Sequence, residues 1–323
     1  MGKIILYTIL LLAGLAAPLA VYPVFMMKLL CFALFACAFN LLIGYTGLLS
    51  FGHAAFLGGA GYVAGYLMRD KGWSPELGVL AGTVFAALMA WLMGSLAIRR
   101  QGIYFTMITL SLSQMLYFLW LQAPFTGGED GLQGIPRGHL WGMVDLSNDL
   151  NLYYTVLGIF LFGFWLIHRT IHSPFGHVLR AIKDNEARTI SLGYDVNRFK
   201  LLVFVLSGAL AGMAGATKVL VLGFETLTDA HWSTSGLVVL MTLVGGLGTV
   251  TGPILGAFFI VILENKMGEI GMAISRASGV EWFATLGESV TIVTGLIFVI
   301  CVLMFRRGMV GEWLHRASVK GSP

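Results

Sequence analysis

Runs of about 20 apolar residues recur along almost the whole chain, and a run of that kind has few folded states open to it. They lie near 4–22, 24–44, 47–68, 77–98, 103–121, 151–168, 201–222 and 286–305. Each can cross ~30 Å of hydrocarbon as a helix, which bonds its own backbone N–H and C=O groups where water is absent. Charged residues are only 11% of the 323. A soluble domain has about 25%, so this chain has too few to cover a water-facing surface. The expectation is an all-α polytopic membrane protein forming one domain over 1–323. Residues 1–22 share features with a signal peptide, with Lys3 ahead of the apolar run. The run extends to Tyr22 and more spans follow, so a first transmembrane helix is expected instead. Cys31, Cys37 and Cys301 sit in apolar runs as small buried residues. Their spacing suggests no metal site or disulfide framework, and no cofactor is expected.

Loop charge sets the orientation. The stretch 169–200 holds Arg169, Arg180, Lys183, Arg188, Arg198 and Lys200. The stretch 122–150 holds Arg137 among Glu129, Asp130, Asp145 and Asp149. Basic loops stay on the cytoplasmic side, which places 169–200 inside and 122–150 outside. The net charge of +4 then belongs to cytoplasmic loops rather than to nucleic-acid binding. Counting crossings puts both termini inside, including the tail 306–323 with Arg306, Arg307, Arg316 and Lys320. It also requires 236–264 to begin and end outside. That segment is apolar but broken by Gly245, Gly246, Gly248, Gly252 and Pro253, so a re-entrant or two-half-helix element is expected. Gly44, Gly47, Gly52 and Gly58 echo Gly245, Gly248, Gly252 and Gly256, which suggests two related halves. Paired Gly-interrupted segments point to a transport pathway, although Gly is also common where membrane helices touch.

The basic loop is the most patterned segment. Ser173 can cap a helix and Pro174 fits its first turn. Phe175, Val178, Leu179, Ile182 and Ile190 recur at helical spacing, with Arg180, Lys183, Asp184 and Arg188 off that stripe. Glu186 falls four residues after Ile182 and so shares the apolar face. Gly193 is a natural stop, and Asp195 or Asn197 can cap the next span. One short amphipathic helix over 174–192 is expected. It could lie in the lipid interface or dock a cytoplasmic partner; physics alone leaves both open.

The stretch SPFGHVLRAIKDNEARTISLGYDVNRFKLLVFVLSGALAGMAGA resembles the coupling region of branched-chain amino acid type ABC importer permeases. LLIGYTGLLSFGHAAFLGGAGYVAGYL, GIYFTMITLSLSQMLYFLW and TGGEDGLQGIPR look like further signatures of that family, in the same order. Among the two homologous permeases of such importers, the chain is similar to the M-type subunit. The resemblance implies about ten helices arranged like the vitamin B12 and ribose importer permeases. It implies a heterodimer with a second permease, two cytoplasmic ATPase subunits and an extracytoplasmic substrate-binding protein, in a bacterial cytoplasmic membrane. Its ATPase-coupling residues here would be Ser173, Pro174, Phe175, Arg180, Glu186, Ala187, Arg188 and Gly193, with Arg188 departing from the usual Ala. The chain itself has no G-x-x-x-x-G-K-S/T stretch; Gly212 to Lys218 has the wrong spacing. The residues after Phe305 are too few for a fused ATPase, so a transport subunit rather than an enzyme is expected.

Candidate pathway residues are Ser50, Gly52, His53, Gln114, Gly245, Gly248 and Gly252. Polar groups inside spans must face protein or water. Asn40, Ser111 and Ser113 share that status; all of these could instead bond between helices. The TGGEDGLQGIPR loop is expected to be a tight turn, a plug or a platform for the binding protein. His168, His172 and His177 are read as interfacial residues, not metal ligands. An ion-driven secondary transporter is disfavoured because the spans hold almost no carboxylates, with Glu264 and Glu288 only at edges. Branched-chain amino acids are the substrate class implied by resemblance, with other amino acids, urea, amides and small aromatic acids as alternatives.

Overall fold

A computed structural model describes Gly14, Leu15, Ala17, Pro18, residues 22–278, Gly295, Leu296 and Val299. The expected spans 4–22 and 286–305, Cys301 and the tail 306–323 lie wholly or largely outside the described residues. The described part is an all-α polytopic membrane architecture. Its helices are α1 (Pro23–Thr46), α2 (His53–Asp70), α3 (Pro75–Ala97), α4 (Ile103–Gln122) and α5 (Asp149–Ile171). They continue as α6 (Pro174–Asp184), α7 (Glu186–Ser191), α8 (Val196–Leu222), α9 (Leu227–Ala230), α10 (Trp232–Gly245) and α11 (Gly252–Ser278). Among them α1, α3, α4, α5 and α8 are long and apolar enough to cross a membrane.

Local chemistry explains the ends. Pro23 and Pro75 open α1 and α3, where a missing N–H costs nothing. Asn148 caps α5 by accepting from Leu150 N, and Asp195 caps α8 by accepting from Arg198 N. Gly47 ends α1 at φ +74°, with its N–H bonded to Ile43 O, a conformation that strains any residue with a Cβ.

Helices α1 and α8 are buried along most of their lengths, and α8 packs along α1, α2 and α3. The α3–α8 contact is a seam of small residues. A Cβ on Gly212 would come 2.1 Å from Ala86 Cβ, and one on Gly208 would come 2.5 Å from Ala90 Cβ. Small residues let backbones approach, which is how helices associate when lipid removes the hydrophobic drive. On α3, Leu77, Leu80, Val84, Leu88, Trp91 and Leu96 face outward. Such an apolar exterior suits lipid and would aggregate in water.

Two sequence expectations about boundaries change. The span expected over 47–68 is helical only from His53; residues 47–52 are irregular, apart from a single bend, and Leu48, Ser50 and Gly52 among them are buried. Irregular backbone inside a membrane protein needs bonding partners from its neighbours. Thr106 Oγ1 on α4 donates to Leu49 O (2.9 Å), and Phe51 N donates to Thr109 Oγ1 (3.3 Å). Ser235 Oγ on α10 donates to Phe51 O (2.8 Å) and accepts from Ala54 N (2.9 Å). Ser235 thus caps α2 from another helix. Ser235→Ala should cost about 1–2 kcal/mol, the usual cost of a lost cap, read as a lower unfolding midpoint in detergent. An unchanged midpoint would refute the capping role.

The second concerns 236–264, which is broken between Gly245 and Gly252 as expected, while its helices extend beyond those bounds to Trp232 and Ser278. It forms a helical hairpin: α10 and α11 lie antiparallel, with Gly256 against Met241 O and Gly245 against Gly252 O. The 27 residues of α11 reach about 40 Å, whereas the 14 of α10 reach about 21 Å. Short antiparallel strands complete the fold. β1 (Leu132–Gln133) pairs with β4 (Phe224–Glu225), and β2 (His139–Leu140) pairs with β3 (Val144–Asp145).

Candidate functional site

The amphipathic segment forms where expected but in two pieces. Ser173 Oγ accepts from Gly176 N and donates to Thr170 O (2.7 Å), and Pro174 opens α6. Leu179 and Ile182 are buried, and Phe175 stacks on Phe199 of α8 with centroids 5.5 Å apart. The single helix expected over 174–192 breaks at Asn185, which is extended and accepts from Arg188 N to cap α7. Asn competes for its own backbone in this way, so it starts helices more readily than it continues them.

The break re-aims everything beyond it. Ile190, expected on the buried stripe, is 55% exposed. Glu186 does not share the apolar face of α6. Its Oε1 accepts from Lys200 Nζ (2.7 Å) on α8 and from Gln101 Nε2 (2.9 Å) between α3 and α4. It therefore anchors α7 to two neighbouring elements. Ala187, Arg188 and Ser191 point outward, next to exposed Ile190, Leu192 (68%) and Tyr194. Gly193 follows α7 at φ +89°, its N–H bonded to Ile190 O (2.9 Å). Arg180 lies 5.4 Å from the ring centre of Tyr45 on α1.

Directly behind this segment the two Gly-broken elements meet. A Cβ on Gly44 would lie 2.8 Å from Gly248 N and 3.0 Å from Gly248 Cα, so these backbones touch. Gly248 has φ +73°. Asn40, one turn before Gly44, is 2% exposed. Its Oδ1 accepts from Gly248 N (2.9 Å) and its Nδ2 donates to Thr249 O (2.9 Å). Both ends of the amide are used, which fixes its orientation. Lys183 Nζ on α6 donates to Gly44 O (2.7 Å). Gly245 ends α10, and Gly252 opens α11 with its N–H bonded to Thr249 Oγ1 (3.1 Å).

The other pathway candidates lie apart from that junction. Ser50 is fully buried and accepts from Gly52 N (3.1 Å). His53 opens α2, enclosed by Phe39, Phe56 and Phe204 at 4.9, 5.5 and 6.1 Å between ring centroids. Ser207 Oγ donates to Ala38 O (2.6 Å) and lies 2.9 Å from His53 Nε2. The single hydroxyl proton is committed to Ala38, so His53 is the donor to Ser207 and its Nδ1 carries the lone pair. Gln114 is half-buried on α4; its Nε2, and Ser113 Oγ nearby, are buried without a partner. Ser111 is exposed.

Folding also assembles a charge cluster that counting carboxylates within spans misses. Lys218 Nζ on α8 lies 3.4 Å from Glu225 Oε2 and 2.5 Å from Asp229 Oδ2. The carboxylates come from the short segment after α8, outside any apolar run. The available signal was Lys218 itself, a lone cation near the end of an apolar span, which demands a counter-charge.

Comparison with known proteins gives the family. The family described as "Branched-chain amino acid transport system / permease component" matches residues 24–302. The chain belongs to this family. It is 26% identical over 251 residues to the high-affinity branched-chain amino acid transport system permease protein LivM of Escherichia coli, and 28% over 256 residues to that of Salmonella typhimurium. Each match covers 71% of this chain and 59% of the relative. It is also 32% identical over 197 residues to the autoinducer 2 import system permease protein LsrC of Klebsiella pneumoniae, covering 59% of this chain and 53% of that one. No solved structure matches the chain. Permease family membership and the apolar helices make this a multi-pass membrane protein.

Proposed function

We propose that this chain is a transmembrane subunit of an ATP-driven importer for branched-chain or related amino acids, and that it hydrolyses no ATP itself. It works with a homologous second permease, two cytoplasmic ATPase subunits and an extracytoplasmic binding protein. It resides in a bacterial cytoplasmic membrane with α6, α7 and both termini inside. The observation that carries the reading is the exposed edge formed by Ala187, Arg188, Ile190, Leu192 and Tyr194. It is mixed apolar and cationic, and Glu186 holds it rigidly through Lys200 and Gln101. A rigid apolar edge with a charged rim is what a protein partner can bury. On this reading Gln114 and the junction at Gly245, Gly248 and Gly252 border the pathway. His53 and Ser50 hold α2 in place beside it.

Arg188→Glu should reduce co-purification of the ATPase subunits about tenfold, a loss of ~1.4 kcal/mol, at unchanged chain abundance in the membrane. Undiminished recovery of the ATPases would reject docking and favour a lipid contact for this edge. A second reading of substrate rests on the LsrC similarity: a small polar solute other than an amino acid. Titrating the binding protein with leucine, isoleucine and valine separates the two.

A further inference from the structure

We propose that Lys183 is the positioning residue that couples the ATPase-facing segment to the turn between α10 and α11. The inference rests on the proposed function and adds to it the route by which motion enters the membrane. Lys183 belongs to α6, which ends at the Asn185 break just before the exposed edge. Its stem packs beside Gly47, with Cγ 3.5 Å from a Cβ placed there, and its ammonium donates to Gly44 O (2.7 Å). That carbonyl belongs to the last turn of α1, where cations are favoured and orphan carbonyls need donors. Gly44 O is also 3.2 Å from the Cβ position of Gly248. The turn cannot slide freely over this point, because Asn40 holds Gly248 N and Thr249 O from the same helix.

Three elements far apart in sequence therefore meet at one spot with no room between them. A displacement of α6 pulls on Gly44 through a charge-assisted hydrogen bond. A displacement of Gly44 moves the 246–251 turn by direct backbone contact and through the Asn40 clamp. Packed contacts of this kind shift between discrete arrangements rather than deforming smoothly. The arrangement gives Lys183 a role separate from docking: the residue is exposed along its length, but its ammonium is bonded to Gly44 O of α1.

The test uses the complete importer reconstituted in vesicles, with ATP hydrolysis and uptake of radiolabelled leucine, isoleucine and valine followed together. Lys183→Met should leave ATPase recovery and ATP hydrolysis within about twofold of the parent while uptake per ATP falls at least tenfold. Lys183→Arg, which retains a donor of similar reach, should restore most of the ratio. A merely structural role would lower uptake and hydrolysis together through loss of protein. Lys183→Gln serves as a second uncharged replacement and should behave as Lys183→Met does. Unchanged uptake per ATP in both uncharged variants would overturn the proposal while leaving the proposed function intact. Uptake by the parent complex that needs no ATP would overturn both.

Discussion

Lys218→Met should strip most of the folded chain from the membrane. The Lys218 side chain is 4% exposed, and Glu225 beside it is fully enclosed. Met occupies a similar volume, so packing is nearly preserved and what disappears is charge. Glu225, fully enclosed, and Asp229, largely enclosed, would then lack a cation. Breaking a buried pair in this way costs about 3–5 kcal/mol, because the remaining charge has neither water nor partner. That is a large share of the ~5–15 kcal/mol by which folded proteins typically exceed their unfolded states. The triple variant Lys218→Met, Glu225→Gln, Asp229→Asn should recover much of the loss, since it removes the uncompensated charge as well. The measurement is the amount of monodisperse protein and its thermal midpoint in detergent. A midpoint equal to the parent's in the single variant would show that the cluster carries no stabilising charge balance.

Gly44→Val should abolish uptake even where some protein reaches the membrane. Its Cβ would lie 2.8 Å from Gly248 N, a backbone atom that no rotamer change can move aside. The end of α1 and the 246–251 turn would have to separate, and the Asn40 bonds to Gly248 and Thr249 would break with them. Overpacking costs ~1–3 kcal/mol, and interhelical hydrogen bonds in membranes are worth ~0.6–2 kcal/mol each. Gly236→Ala is the matched control, because nothing lies within 4 Å of a Cβ there. It should leave abundance and uptake unchanged. Uptake by Gly44→Val at the level of that control would show that the two Gly-broken elements need not touch.

The amphipathic segment after α5 shows how far local pattern reaches. Ser173, Pro174 and Asp195 were legible as helix starts because capping depends on one side chain and the backbone next to it. Leu179 and Ile182 were legible as the buried stripe of α6 because a period of 3.6 is visible within one segment. The pattern misled at Ile190 and Glu186. The apolar period runs on through Asn185 in the sequence, but the Asn cap resets the helix, so residues beyond it face elsewhere. An Asn followed by Glu at the helix start was the signal available for that break.

The interior polar residues divide the same way. Asn40, Ser50, His53, Ser113 and Gln114 stood out in the sequence as polar groups within or beside apolar runs. That they must be satisfied inside the protein follows from composition alone, since lipid offers no hydrogen bonds. Which group satisfies which does not. His53 meets Ser207, and Asn40 meets Gly248 and Thr249.

The sequence by itself determined that most of this chain lies in lipid, roughly where most of the described spans run, and which loop carries the basic charge. Apolar length, capping and loop charge are local quantities, each measured over a few turns of chain. Only the tertiary structure decided that residues 47–52 unwind inside the bundle, and that Lys218 gathers two carboxylates from a connecting segment. It also decided that Lys183, Gly44 and Gly248 form one contact behind the exposed edge of α7. Those outcomes depend on which small residues let backbones approach and which polar groups remain to be paired. Both are properties of helices in contact, settled only when distant parts of the chain come together.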